Sequence, residues 1–286
     1  MAEKPFSKIF VLYDFSDTAQ AALAWAKGVG NAFGSHLKAI HAIPDWINIG
    51  HTGDLKSLVL AELKEEIEDP AIALEVLEGR VVEKLTEAIE KETPDLVVVG
   101  TQGRTGLVHV LLGSVAEKIV RHSQAPVAAV RPPASWPPRT MILPLAFDAS
   151  AEEALWFASE WKQAVPSLAI HAIHVIAPPM PMSLSPDIVA DLPGFDLQEA
   201  KRLSETRLKE LLSRHLKLDI IPHVAVGHPA DSICETSRRQ KADIVLIPTH
   251  GRTGMSRFFL GSVAEHVVRY APCSVLSFAP GKEKVV

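Results

Sequence analysis

The chain has 286 residues, 47% of them apolar and 22% charged, with a formal net charge of -5. Against about 150 residues for an ordinary domain, that length predicts two domains, each able to close its own core, and the composition excludes a disordered or fibrous chain. The acidic balance leaves no basic footprint for a nucleic-acid backbone, and no apolar run approaches the roughly 18–20 residues that cross a bilayer.

In chain order, Met1 to Lys8 leads into a strand-like segment without an apolar signal core, which predicts a cytoplasmic protein. Short apolar runs then alternate with amphipathic stretches, the pattern of β-α units that feed a parallel sheet. The first half predicts strands over 8–13, 37–43, 71–77, 96–101 and 127–130. A helix over 17–27 is opened by a Ser16 or Asp17 cap and ends near Gly28. The prolines of Arg131–Arg139 forbid a helix or a central strand, and the domain boundary is placed there, giving domains over 1–133 and 139–281. The second half predicts strands over 140–145, 169–176, 218–226, 244–249 and 274–278. Its clearest helix, 196–215, carries Leu197, Leu208, Leu211 and Leu212 on one face. Segments 44–53 and 177–195 have no assignment, and the latter is rich in Pro and Met. Cys234 and Cys273 lack CxxC spacing and read as packed, reduced thiols.

An internal repeat organises these elements. Residues 100–121, GTQGRTGLVHVLLGSVAEKIVR, recur without a gap at 248–269 as PTHGRTGMSRFFLGSVAEHVVR. Upstream, Lys8–Leu23 aligns with Thr140–Leu155, and Ala39–Ile43 with Ala172–Ile176.

A parallel α/β sheet presents ligand sites at the carboxyl ends of its strands. Gly100 ends an apolar strand, Gly103 follows it, and Gly113 and Ser114 open a helix that continues through Val115. A helix start offers unpaired amides at the positive end of the macrodipole, glycine lets backbone approach an anion, and Ser114 adds a hydroxyl that can also cap the helix.

With these residues in place, the chain resembles the universal stress protein family in its tandem form, from about Lys8 to Pro280. The family's G-x2-G-x9-G-(S/T) signature is matched at Gly100, Gly103, Gly113 and Ser114, and Asp14 fills the place of the acid that ends the first strand. The resemblance implies two flavodoxin-like domains, each a five-stranded parallel sheet of order 3-2-1-4-5 with helices on both faces. It also implies ATP across strands one and four. By that resemblance Asp14 contacts the adenosine, the Ala42 backbone meets the adenine edge and Gly100 lies against the ribose. Gly103, Gly113, Ser114 and the Val115 amide hold the phosphates, with Arg104 beside them and Mg²⁺ bridging through phosphate oxygens and water. The second half departs from the pattern, with Pro248 for the first glycine and Ala146 for the acid, while Gly251, Gly261 and Ser262 remain as a residual anion site. One nucleotide per chain, in the first domain, is the expectation.

Other candidates read as structural. Gly28 to Gly34 lacks GxGxxG spacing and follows a helix, so it reads as a helix end and turn. Arg252 and His109 lie in the glycine loops, where His109 reads as exposed. His171 and His174, three apart on a strand, point to opposite faces and cannot chelate together, and no metal site of protein ligands is expected. No GxSxG, HExxH or GxxxxGK[ST] occurs, and no catalytic residue is assigned.

The leading expectation is thus a cytoplasmic ATP-binding stress or regulatory protein, with adenine nucleotide and unidentified proteins as partners. Two alternatives stand beside it. One is a slow ATPase or self-phosphorylating enzyme using Ser114. The other is a nucleotide-free interaction module presenting Ala177–Phe195. The resemblance further implies that the last strands pair the two halves as an internal pseudo-dimer, with a homodimer of whole chains left open.

Overall fold

The computed structural model describes residues 5–48, 54–101, 112–177, 196–249 and 260–280. The first half contributes β1 (Lys8–Leu12), β2 (His36–Ile43), β3 (Ala73–Glu78), β4 (Leu96–Gly100) and β5 (Val127–Val130). The second contributes β6 (Thr140–Pro144), β7 (Ala169–Ile176), β8 (Ile220–Val226), β9 (Ile244–Pro248) and β10 (Ser274–Phe278). Central strands such as Val127–Val130 are apolar throughout and buried throughout, because helices cover both faces of the sheet.

All ten strands join one sheet of order β3-β2-β1-β4-β5-β10-β9-β6-β7-β8. Each half therefore has the 3-2-1-4-5 order of a flavodoxin-like unit, with parallel neighbours inside it. The halves meet through β5 and β10, which pair antiparallel with Leu276 opposite Ala128.

Among the described residues the α-helices are α1 (Asp17–Phe33), α2 (Leu55–Ile67), α3 (Val81–Glu92), α4 (Ser114–His122), α5 (Ser150–Ala164), α6 (Leu197–Ser213), α7 (Pro229–Arg239) and α8 (Ser262–Tyr270). On one face of the sheet α1, α2, α5 and α6 cover an apolar layer, and on the other α3, α4, α7 and α8 cover a second. Each layer runs through both halves without a break. The expectation that each half closes its own core is corrected in this respect: Phe6 of the first half stacks on Phe157 of the second with ring centroids 6.0 Å apart. Arg121 meets Glu265 at 3.0 Å, and its repeat counterpart Arg269 meets Glu117 at 2.9 Å.

Helix α1 also differs from its expected bounds. Ser16 is its N-cap, but the helix runs past Gly28 and Gly30 to Phe33 and stops at Gly34, whose φ is 66°. A helical glycine costs about 1 kcal/mol relative to alanine and reads as a stop signal. Here Gly28 is the seat of a tryptophan, since a Cβ on it would stand 2.2 Å from the ring of Trp136. Trp136 comes from the proline-rich connection and packs edge-on against Trp25, with centroids 6.0 Å apart. The linker is therefore part of the packed structure.

Candidate functional site

At the carboxyl ends of β1, β2 and β4 a cavity of about 160 Å³ opens towards the start of α4. Asp14, Ala42, Gly100, Gly113, Ser114 and Val115 all line it, so six of the residues singled out in the first half converge on one place. Gly103 and Arg104, together with His109, lie outside the described residues.

The turn after β1 is built around strain. Phe15 has φ +63°, a conformation that costs a non-glycine residue on the order of 1 kcal/mol or more. Its ring packs on Tyr13 and His41, at 5.4 and 5.0 Å between centroids, which holds the turn in place. The adjacent Asp14 carboxylate accepts from the Ser16 amide at 3.1 Å and from the Ser16 hydroxyl, and Ser16 Oγ in turn accepts from the Ala19 amide at 3.2 Å. Asp14 is thus fixed to the first turn of α1. His41 Nδ1 lies 2.7 Å from the Tyr13 carbonyl oxygen, which pins the neighbouring strand end. Burial pushes the Tyr13 phenol far above its ordinary range, helped by its hydrogen bond to Glu66, so it stays neutral.

Gly100 has a role that the sequence did not show. A Cβ there would lie 2.6 Å from Thr18 Oγ1 and 2.8 Å from the Thr18 carbonyl carbon, so the missing side chain lets α1 sit directly on β4. The start of α4 also differs from expectation. Gly113, rather than Ser114, is the N-cap; Ser114 is the first helical residue, and no side-chain hydrogen bond caps the helix among the described residues. The Gly113 amide donates to the Thr101 carbonyl at 2.7 Å and is not free to hold an anion. Its carbonyl accepts from the Glu117 amide at 2.9 Å, so among the described residues the amides of Ser114, Val115 and Ala116 are left as the unpaired donors of the first turn. Asp14 is the one carboxylate among the described lining residues.

The second half repeats this architecture with a different lining. A cavity of about 640 Å³ occupies the corresponding place and is lined by Ala146, Pro248, Gly261 and Ser262, among others; Gly251 and Arg252 lie outside the described residues. Gly261 donates to Thr249 at 2.6 Å, as Gly113 does to Thr101, so the open helix start is kept. Phe147 replaces Phe15 without its left-handed backbone. The Phe147 ring stacks on His174, with centroids 3.9 Å apart, and the Arg207 guanidinium lies 4.6 Å from the Phe147 centroid. His174 Nδ1 rests 2.9 Å from the Leu145 carbonyl oxygen, the counterpart of His41 on Tyr13.

The two histidines of β7 do diverge, as alternation requires. His171 instead meets His223 of β8, at 2.8 Å between Nδ1 and Nε2, a cross-strand pair that spacing within one strand could not reveal. Burial lowers both imidazoles below their ordinary range. Among the described residues no group of three His, Cys, Asp or Glu side chains is placed to hold a metal, and no helix is long and apolar enough to cross a membrane.

Comparison with known proteins agrees with this geometry. The sequence profile of the universal stress protein family matches twice, over residues 5–131 and 138–278. The universal stress protein E homolog of Haemophilus influenzae is 26% identical over 228 residues, covering 75% of this chain and 72% of the relative. A universal stress protein of Methanocaldococcus jannaschii is 31% identical over 145 residues, 46% of this chain and 85% of the relative. A solved universal stress protein of Archaeoglobus fulgidus superposes with a TM-score of 0.66 at 19% identity, covering 97% of each chain, and so shares the fold.

Proposed function

Because the chain belongs to the universal stress protein family, with two family units in tandem, we propose that it is a cytoplasmic regulatory protein that binds one ATP, in its first half. The observation that carries this reading is the cavity at the ends of β1, β2 and β4, where a strained turn holds Asp14 in the same lining as three helix amides that are unpaired among the described residues. Asp14 suits a ribose hydroxyl, Ala42 offers backbone to the adenine edge, and the amides of Ser114, Val115 and Ala116 suit a phosphate, which a helix start favours by about 0.3–2 kcal/mol. At about 160 Å³ the cavity is smaller than the roughly 300–1,000 Å³ of a site that encloses a whole ligand, so it takes the nucleoside end and leaves the outer phosphates beyond it. Gly103 and Arg104 extend the proposed phosphate site. Mg²⁺ neutralises phosphate charge when bound, and with Asp14 the one carboxylate of the described lining it is held mainly by phosphate oxygens and water.

In the second half Ala146 removes the ribose acceptor and Pro248 places a ring at the strand end, while Gly261 and Ser262 keep an anion-binding helix start. This half then has no adenosine site.

The test is to denature purified protein, identify released nucleotide by chromatography, and titrate emptied protein with ATP and Mg²⁺. About one ATP per chain is expected, lost in Asp14→Ala and in Ser114→Glu. The glutamate repels phosphate while suiting a helix N-terminus, so the fold survives. Binding that persists in both variants, or two equivalents per chain, overturns the reading; ADP accumulating with time marks turnover instead of simple binding.

A further inference from the structure

At the opposite end of the sheet a separate cavity of about 370 Å³ lies between the two halves. It is walled by the last turns of α3 and α4, the approaches to β4 and β5, the first turns of α5 and the exit of β10. Its inner surface is apolar, formed by Ile89, Ile119, Phe157 and Phe278 with Trp156 at one side. Three carboxylates line it, from Glu90, Asp95 and Glu153, and among the described lining residues there is no lysine or arginine. The Asp95 carboxylate accepts from the amides of Ser7 and Lys8, at 2.9 and 3.0 Å, while Glu90 adds to the negative charge of the cavity.

The internal symmetry shows what this space is shaped for. Ala128 and Leu276 stand opposite each other in the β5–β10 pair, and they are repeat counterparts at the offset that relates Gly100 to Pro248. An approximate two-fold axis therefore passes between them, and the end of the sheet at this cavity has a counterpart across it. There the place of Ala279 is held by Arg131, and the place of α4 by α8. Arg131 turns inward: its Nη2 donates to the Arg269 carbonyl at 3.1 Å and lies 3.5 Å from that of Val268, both at the C-terminal end of α8. The guanidinium is buried enough that desolvation lowers its pKa, and Cys273 and Cys234 in its half are the counterparts of Ala125 and Thr86 in the open cavity. A cation at that position is favoured by the negative end of the helix macrodipole. Across the axis, the C-terminal turn of α4 lines an open space instead, because Ala279 has no long side chain to send there. The charge nearby is reversed as well, with Glu90 where the counterpart has Arg238.

We infer that the cavity between the halves binds an organic cation, a guanidinium or amidinium carried on a flat apolar body, in the place that Arg131 occupies across the two-fold axis. The cation faces the C-terminal turn of α4 with Glu90, and the apolar body lies against Trp156 and Phe278. This inference does not depend on nucleotide binding, since the proposed ATP site lies at the other ends of the strands.

The probe is benzamidine, titrated calorimetrically into the full chain, with neutral benzamide as the matched control. Expected are saturable binding of one benzamidine per chain, none of benzamide in the same range, and no change when ATP and Mg²⁺ are in excess. Ala279→Arg supplies the cation from within and is expected to weaken benzamidine at least tenfold. Glu90→Gln is expected to weaken it severalfold too, and it reads the same question should the arginine variant fail to fold. Absence of saturable benzamidine binding, equal binding of benzamide, displacement by ATP, or unchanged affinity in the variants each overturns the inference.

Discussion

Replacing Gly100 by alanine tests the packing that positions the site. The added Cβ meets backbone as well as side chain of Thr18, at 2.6–2.8 Å, whereas carbon atoms in ordinary contact stand about 3.5–4.0 Å apart. Relief therefore needs α1 to move off β4 by close to 1 Å, and neither partner is a flexible side-chain tip. Overpacking of this kind costs about 1–3 kcal/mol. At about 2 kcal/mol, and about 2–4 °C per kcal/mol for units of 150–250 residues, Tm falls by about 4–8 °C. The same displacement moves Ser16 and, through it, the Asp14 carboxylate, so ATP affinity should fall along with stability. Urea denaturation and thermal melting of Gly100→Ala against the parent measure the first effect, and calorimetry with ATP the second. A variant that melts with the parent refutes the close approach. One that melts early but binds ATP as before refutes the coupling of α1 to the site.

Other consequences can be checked separately. The His171 and His223 imidazoles have folded pKa values below their unfolded ones because of burial, so their contribution to stability is full above about pH 6.5 and is lost as pH falls through the depressed values. Tm should drop over that window, and His223→Gln should flatten the drop. Lys38 bridges Glu75 and Glu92 at 2.6 Å each, and its hydrogen bond holds the Glu92 carboxyl below the ordinary range. Stability from Glu92 is therefore complete above about pH 4.5 and lost on acidification, and Lys38→Met should cost about 1 kcal/mol at neutral pH and shrink this acid-dependent part. Burial raises the Cys273 thiol to about 12 and raises Cys234 as well, so native protein at pH 8 should leave both unreacted with a thiol reagent that labels two per chain in denaturant. Gly28→Ala should displace Trp136, shift its fluorescence and lower Tm, while Ala24→Ser on the same helix serves as a surface control.

The sequence by itself determined the repeat, the alternation of strands and helices, and six of the residues that line the first cavity. These are local or periodic properties: apolar runs such as Leu96–Gly100 mark strands, and the glycine signature with Asp14 marks their carboxyl ends. Only the tertiary structure decided the rest, because it depends on which surfaces meet. Gly28 and Gly100 look alike as letters, yet one seats a tryptophan from the linker and the other lets a helix rest on a strand. The Gly113 amide is spent on Thr101, a pairing between residues separated by the loop, which the helix-start argument could not see. His171 finds its partner on a neighbouring strand, and Arg131, inconspicuous among prolines, is buried against the far end of α8. Periodicity fixes which face of an element is apolar, but only folding fixes what that face, or the end of that element, is set against.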